Sequence, residues 1–179
     1  MIIAFIVIMF FLTMIIMLCQ EIKPIRQAKK KYGRKEFLFL KKYKFAGGLN
    51  LPQNIECTII FLRSRFVFLV GNQEISLPLE KVFDVSVKNI EEIRTEYSSN
   101  LDNMALGYVL AGSIGAIIGG MPSERRVKSN TQYLIFSYRD NGQIKYILFD
   151  VTKDITVGPY KFESKFKKLK SKEDIKINL

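Results

Sequence analysis

The residues of this sequence that are best suited to chemistry are cations, and most of them lie in one stretch. Between Glu21 and Lys44 there are ten lysines and arginines and two acidic residues, in a chain of net charge +11. Clustered ammonium and guanidinium groups bind phosphate and carboxylate groups, and beside a membrane they contact anionic lipid headgroups. The residues predicted to make lipid or phosphate contacts here are Lys23, Arg26, Lys29, Lys30, Lys31, Arg34 and Lys35.

A second, shorter basic run is assigned to the same class of contact. It consists of Arg125, Arg126 and Lys128. The alternative for this run is an exposed loop whose charges are solvated. Nucleic-acid binding is the competing use of both basic runs. We disfavour it because a membrane tether accounts for the charge, so the predicted partner is the anionic leaflet of a membrane.

Catalytic and metal-binding residue types are scarce. The chain has no histidine, which excludes a His-dependent catalytic site and a Cys/His zinc site. Cys57 lies in a strand-like run and is predicted to be a small buried hydrophobic residue. The candidate carboxylates are Glu91, Glu92, Glu96 and Asp102. Their spacing fits a mixed-charge surface and not a Ca²⁺ or Mg²⁺ site, so we predict a non-enzymatic protein without metal or cofactor.

Small residues recur at every fourth position of the uncharged segment 104–121. They are Gly107, Ala111, Gly115 and Gly119. On a helix this spacing forms one stripe that another backbone can approach closely, so these residues are predicted to pack helices. Three interpretations remain open: packing within the protein, self-association or shallow membrane entry, and a full membrane span. A P-loop is excluded because Gly112 is followed by Ser113 and not by lysine.

The element that must position the basic run is the apolar stretch before it. Residues 1–19 contain one polar side chain, Thr13, and a helix of this length would reach about 28 Å, close to the thickness of a bilayer core. This predicts a transmembrane anchor at 1–20 and a basic juxtamembrane connector at 21–44. The positive-inside rule then places the N-terminus outside and the C-terminal domain in the cytoplasm, as a single-pass protein of the cell membrane.

Downstream of Gly47 and Gly48 the hydrophobic pattern acquires the period of two that is typical of β-strands. The predicted strands are Glu56–Leu62, Arg65–Val70, 75–79, 83–87 with Phe83, Val85 and Val87 inward, Gln132–Tyr138 and Ile144–Val151. Pro78 predicts an edge strand because proline cannot donate to a ladder. Asn141 and Gly142 predict a tight hairpin turn.

The last predicted element is a helix that begins at Gly158 and Pro159. Phe162, Phe166 and Leu169 recur at i, i+4 and i+7 and form one apolar stripe. We favour a helix that covers the sheet over a basic amphipathic helix that lies on lipid.

A strand meander closed by an amphipathic C-terminal helix resembles the pleckstrin-homology-like superfold, including its GRAM-type bacterial variants. The resemblance covers about residues 43–170 and includes the run from Ile75 to Val82. It implies a small antiparallel sheet or barrel with a C-terminal helix. Combined with the apolar stretch and the small-residue spacing, the predicted fold class is an N-terminal transmembrane helix plus an α+β domain at 45–170 with a Gly-rich helical insertion at 100–120. Residues 171–179 form the tail. The long interruption at 89–130 departs from the family pattern.

These expectations combine into a membrane-anchored, non-enzymatic binding module at the cytoplasmic face, which contacts anionic lipid or a partner protein. The alternative function is a membrane-assembly or envelope-stress component that oligomerises or inserts through its glycine-zipper helix. That alternative implies a homo-oligomer or a partner membrane protein.

Overall fold

The computed structural model describes residues 2–89, 91–93, 131–154 and 156–177, with side chains at 9–13, 22–89, 91–93, 131–154 and 156–171. Within these ranges the chain forms a seven-stranded antiparallel sheet with few helices. The elements are α1 (Ile2–Tyr32), β1 (Phe37–Gly47), β2 (Glu56–Leu62), β3 (Arg65–Val70), β4 (Gln73–Pro78), a 3₁₀ turn (Leu79–Lys81), β5 (Val82–Asn89), β6 (Gln132–Asp140), β7 (Gln143–Asp150) and α2 (Gly158–Ile177). The strand order is β4-β3-β2-β1-β7-β6-β5.

Alternating hydrophobic residues and local turn residues account for the bounds of several strands of the sheet. Strands β2 and β3 have the predicted bounds, and β4, which ends at Pro78, is the predicted edge strand. Asn141 and Gly142 join β6 to β7 with φ values of 52° and 77°. Two consecutive positive φ values are what a tight hairpin turn requires, so the turn prediction is confirmed.

Strand β1 lies in the middle of the sheet, although its residues up to Lys44 were predicted to be a connector. Tyr43 and Phe45 are buried and the intervening Lys42 and Lys44 are exposed, which is the alternation of a strand with one covered face. The sheet therefore begins at Phe37, inside the predicted juxtamembrane segment.

Aromatic rings from the strands and from α2 fill the core. The rings of Phe61 and Phe66 stack with centroids 4.3 Å apart, and Phe162 of α2 meets Phe39 edge to face at 4.9 Å. Phe162 and Phe166 are buried, and Leu169 packs against the same core. The prediction that the C-terminal helix covers the sheet is confirmed.

Phe83 was predicted to face inward and does not. It is 48% exposed, and the Arg139 guanidinium lies 5.9 Å from its ring centroid. The register of β5 against β6 shifts between Val82 and Asp84. Such a bulge adds one residue to one strand, so Val82 and Val85 both point into the core while Phe83 points out.

The predicted fold class is wrong at its N-terminal end. Among the described residues, no helix is both long and apolar enough to cross a bilayer. The following predictions are therefore wrong: the transmembrane anchor at 1–20, the single-pass topology, and the cell-membrane location with the N-terminus outside and the C-terminal domain in the cytoplasm. Instead, α1 continues without a break through the basic residues to Tyr32, and its last turns pack on the sheet. The predicted Gly-rich helical insertion lies outside the described residues.

Candidate functional site

The basic residues predicted at 23–35 are all described, and all seven are exposed. Five of them, Lys23, Arg26, Lys29, Lys30 and Lys31, lie on α1, and the other two lie in the turn that leads into β1. The remaining predicted contact and packing residues lie outside the described part of the chain. They are Arg125, Arg126, Lys128, Gly107, Ala111, Gly115 and Gly119.

The C-terminal part of α1 has one face on the sheet. Ala28 is 5% exposed and forms a small second core with Ile60, Leu62 and Val67, and Tyr32 packs against this cluster. Ala28 and Tyr32 are four residues apart, so their side chains lie one above the other on the same side of the helix. This contact fixes the rotation of α1 about its own axis.

Two lysines beside the packed face connect α1 to the domain. The Lys31 ammonium pairs with the Glu74 carboxylate of β4, and Lys29 Nζ lies 5.4 Å from the ring centroid of Phe37 in β1. The hydrogen bond between Lys31 and Glu74 raises the pKa of the lysine and lowers that of the carboxyl group. Both contacts are with exposed ammonium groups, so each stabilises the docked helix only modestly.

The opposite side of α1 carries Lys23, Arg26 and Lys30, which we call the basic stripe. These positions are spaced i, i+3 and i+7, so they form a single row at 3.6 residues per turn. All three are exposed, and none pairs with an acidic side chain among the described residues. Because Ala28 packs on the sheet, these three cations face solvent in a row, without acidic partners among the described residues.

The turn after α1 holds Arg34 and Lys35 close to this helix. Gly33 ends α1 with φ of 90°. The Arg63 side chain donates a 2.8 Å hydrogen bond to the Lys35 carbonyl, and the Arg63 amide donates to the Glu36 carbonyl at 2.9 Å. The β2–β3 turn thus fixes the backbone of this segment while the two basic side chains remain exposed.

A second basic feature, which the sequence analysis missed, is a groove beside β1 with a volume of about 380 Å³. We call it the β1 groove. Its lining residues are Lys41, Lys42, Tyr43, Lys44, Asn54, Glu56, Asp150, Val151, Lys153 and Asp154. The run of lysines at 41–44 was visible in the sequence, but Asp150, Lys153 and Asp154, which complete the groove, come from a segment more than a hundred residues later.

The base of the groove is a hydrogen-bonded pair. The Tyr43 hydroxyl donates to Asp154 Oδ2 at 2.8 Å, and the Thr156 amide and hydroxyl both donate to Oδ1. Burial, reinforced by the Asp154 carboxylate, raises the pKa of Tyr43 well above its usual range. Burial opposes ionisation of Asp154, but the hydrogen bonds from Thr156 and Tyr43 outweigh it and lower its pKa. The pair is therefore a neutral phenol and a carboxylate.

The basic stripe presents cations, and the β1 groove combines four lysines with three carboxylates, so anion binding is the chemistry that the exposed cations of both features can perform. Within the described ranges, no cluster of three acidic or cysteine side chains could hold a metal ion. Cys57 is completely buried, and burial raises its pKa to about 12, so the thiol has the predicted character of a hydrophobic residue. The absence of an enzymatic function stays a prediction.

Comparison with known proteins adds no relatives. No protein family matches the chain, and neither a curated protein nor a solved structure is significantly similar to it. The pleckstrin-homology-like resemblance therefore stays a prediction, as does the function that it implies.

Proposed function

We propose that this protein is a non-enzymatic binding module that lays the basic stripe of α1 on an anionic lipid surface. The observation that carries the proposal is the two-sided construction of α1. Ala28 and Tyr32 fix one face to the sheet, and Lys23, Arg26 and Lys30 occupy the other face without acidic partners among the described residues. The proposed contact is peripheral and needs no helix that crosses the bilayer.

The stripe is sufficient for measurable binding. A basic residue near an anionic leaflet contributes on the order of 1 kcal/mol, so three of them contribute about 3 kcal/mol, or roughly 100-fold in affinity. Arg34 and Lys35 follow directly and extend the same charge. Because the attraction acts between exposed charges, it should weaken steeply as salt concentration rises.

The test uses the full chain and sedimentation with vesicles of phosphatidylcholine, either pure or with phosphatidylserine. The variant Lys23→Gln/Arg26→Gln/Lys30→Gln should lose about 100-fold in binding to the anionic vesicles. The matched control is Lys42→Gln/Lys44→Gln/Lys153→Gln, which removes the same charge from the β1 groove and should retain most of the binding.

Three outcomes would contradict the proposal. Equal losses in the two variants would mean that net charge alone drives binding. Equal binding of the wild type to the pure phosphatidylcholine vesicles would mean that the stripe is not responsible. Stripe-dependent binding to soluble polyglutamate, without binding to anionic vesicles, would point to an acidic partner protein instead.

A further inference from the structure

The first part of strand β1 is paired on only one side. It pairs with β2 from Phe37 to Lys44, whereas its pairing with β7 covers Lys44 to Gly47. Strand β7 ends at Asp150, and the Val151 amide then donates to the Gln132 carbonyl at the start of β6. The chain after β7 therefore follows β6, and the first half of β1 has no described strand on that side.

We call the unpaired side of the first half of β1 the gap. The hydrogen-bonding pattern between β1 and β2 shows which backbone groups of β1 face it. The Phe45 amide donates to the Ile55 carbonyl at 2.9 Å, and the Phe45 carbonyl accepts from the Asn54 amide at 2.8 Å, so both groups of Phe45 point toward β2. Successive residues of a strand point their amides and carbonyls to alternate sides. The register against β2 is regular from Phe39 to Lys44, so Leu40 and Lys42 point theirs toward the gap.

These groups form an unpaired strand edge that reaches the β1 groove at Lys42, whereas Leu40 is not one of the residues that line the groove. Lys42 lines the groove together with Asp150 and Val151, where β7 leaves the sheet. No backbone hydrogen bond joins Leu40 or Lys42 to another described residue on this side. An unpaired strand edge offers alternating donors and acceptors that a second extended backbone can complete.

The charges of the groove indicate which backbone it would accept. Lys42, Lys44 and Lys153 are exposed and form no ion pair with described residues. Two of the three acidic groups are already bound within the chain, since Asp150 accepts from the Thr152 amide at 2.9 Å and Asp154 accepts from Tyr43. These hydrogen bonds orient the two carboxylates without neutralising them, so the lining as a whole carries four lysines and three carboxylates, and the cations that a ligand can reach without breaking an ion pair are Lys42, Lys44 and Lys153.

We infer that the β1 groove binds an extended acidic peptide segment of a partner protein, which adds as a short strand beside Leu40 and Lys42. The backbone amides favour a peptide over lipid, because only another main chain supplies donors and acceptors at the strand spacing. The free lysines select acidic side chains on that peptide. This site is separate from the basic stripe, so the peptide proposal and the proposed lipid contact can be tested independently.

The probe is a fluorescein-labelled pentapeptide of alternating glutamate and valine, and its binding to the full chain is followed by fluorescence anisotropy. The wild type should bind this peptide and should not bind the corresponding lysine–valine peptide. N-methylation of the peptide's own backbone amides, on the edge that would pair with β1, should weaken binding about fivefold to tenfold for each hydrogen bond lost.

A variant pair separates the strand edge from the charge. Lys42→Pro removes one of the two amides, those of Leu40 and Lys42, that face the gap and leaves the bonds to β2 in place, so it should weaken peptide binding about tenfold. Lys42→Gln removes only the charge and should weaken binding less. Circular dichroism checks that Lys42→Pro is folded, and the methylated peptides supply the same test on the wild type if it is not.

The inference is wrong if the methylated and unmethylated peptides bind equally, or if folded Lys42→Pro binds like the wild type. It is also wrong if the wild type does not bind the acidic peptide. None of these three results bears on vesicle binding by the basic stripe, which the Lys23, Arg26 and Lys30 substitutions test by themselves.

Discussion

Gly48 is the residue at which a single added methyl group should do the most damage to the sheet. It follows β1 with φ of 103°, and its Cα lies against the backbone of β7. A Cβ at this position would overlap the Tyr146 carbonyl oxygen and would lie 2.7 Å from the Tyr146 carbonyl carbon and 2.8 Å from Ile147 Cα. All three atoms belong to the main chain, so no side-chain rotation can relieve the overlap.

The expected cost of Gly48→Ala has two parts. The positive φ costs an alanine about 1–2 kcal/mol, and forcing the backbones apart costs about 1–3 kcal/mol more. The sum of about 2–5 kcal/mol is a large share of the stability of an ordinary domain, which is about 5–15 kcal/mol. It corresponds to a fall in melting temperature of about 10 °C for a chain of this size.

Gly71→Ala and Gly142→Ala are the matched controls. Both glycines have positive φ, at 56° and 77°, but an added Cβ would meet no atom within 4 Å. Each control should therefore lose only about 1–2 kcal/mol, from the backbone conformation alone. The three variants are compared by thermal and urea unfolding followed by circular dichroism. If Gly48→Ala unfolds no more easily than Gly142→Ala, the β1–β7 junction relaxes freely and the close approach is not a constraint.

Three further predictions concern the core and its titratable groups. Phe162→Ala should lower the free energy of unfolding by about 3–5 kcal/mol because it empties a fully buried site, whereas Phe83→Ala, at a half-exposed ring, should change it by less than about 1 kcal/mol; urea unfolding measures both. The lowered pKa of Asp154 means that its carboxylate stabilises the fold fully above its ordinary pKa of about 3.9, and that this contribution is lost as the pH falls through the lowered value. Asp154→Asn should therefore show a smaller loss of stability between pH 6 and pH 2.5 than the wild type. Cys57, with its pKa of about 12 and complete burial, should resist maleimide labelling in the native protein at pH 8 and react in denaturant, as mapped by mass spectrometry of the labelled peptide.

The sheet was predictable wherever its signals are local. Strands β2 and β3 and the turn at Asn141 and Gly142 depend on alternation and on turn residues within a few positions of each other. Strand β1 was missed because it contains three lysines, at 41, 42 and 44, and directly follows the basic run at 23–35, so composition suggested a connector. Its inward residues, Tyr43 and Phe45, become recognisable as core only when β2 and β7 lie on either side.

Contacts between residues that are distant in sequence account for the other differences between the predicted and the observed structure. The inward prediction for Phe83 assumed an unbroken period of two, and a bulge against β6 breaks it. The anchor prediction weighed the first nineteen residues by themselves, whereas α1 continues to Tyr32 and packs there on residues of β2 and β3. The β1 groove depends on Tyr43 and Asp154, which are 111 residues apart and meet only in the folded chain.

The basic run shows most clearly why charge counted along a sequence is not yet a binding site. Its net charge is spread over ten cations, but packing gives those on α1 different roles. Lys29 and Lys31 contact Phe37 and Glu74 and so help to hold the helix, while Lys23, Arg26 and Lys30 face away from the domain. The rotation of α1 that separates the two groups is set by Ala28, a residue with no charge at all. Substitutions in the first group should therefore loosen the helix on the sheet, and substitutions in the second should weaken only the contact with an anionic surface.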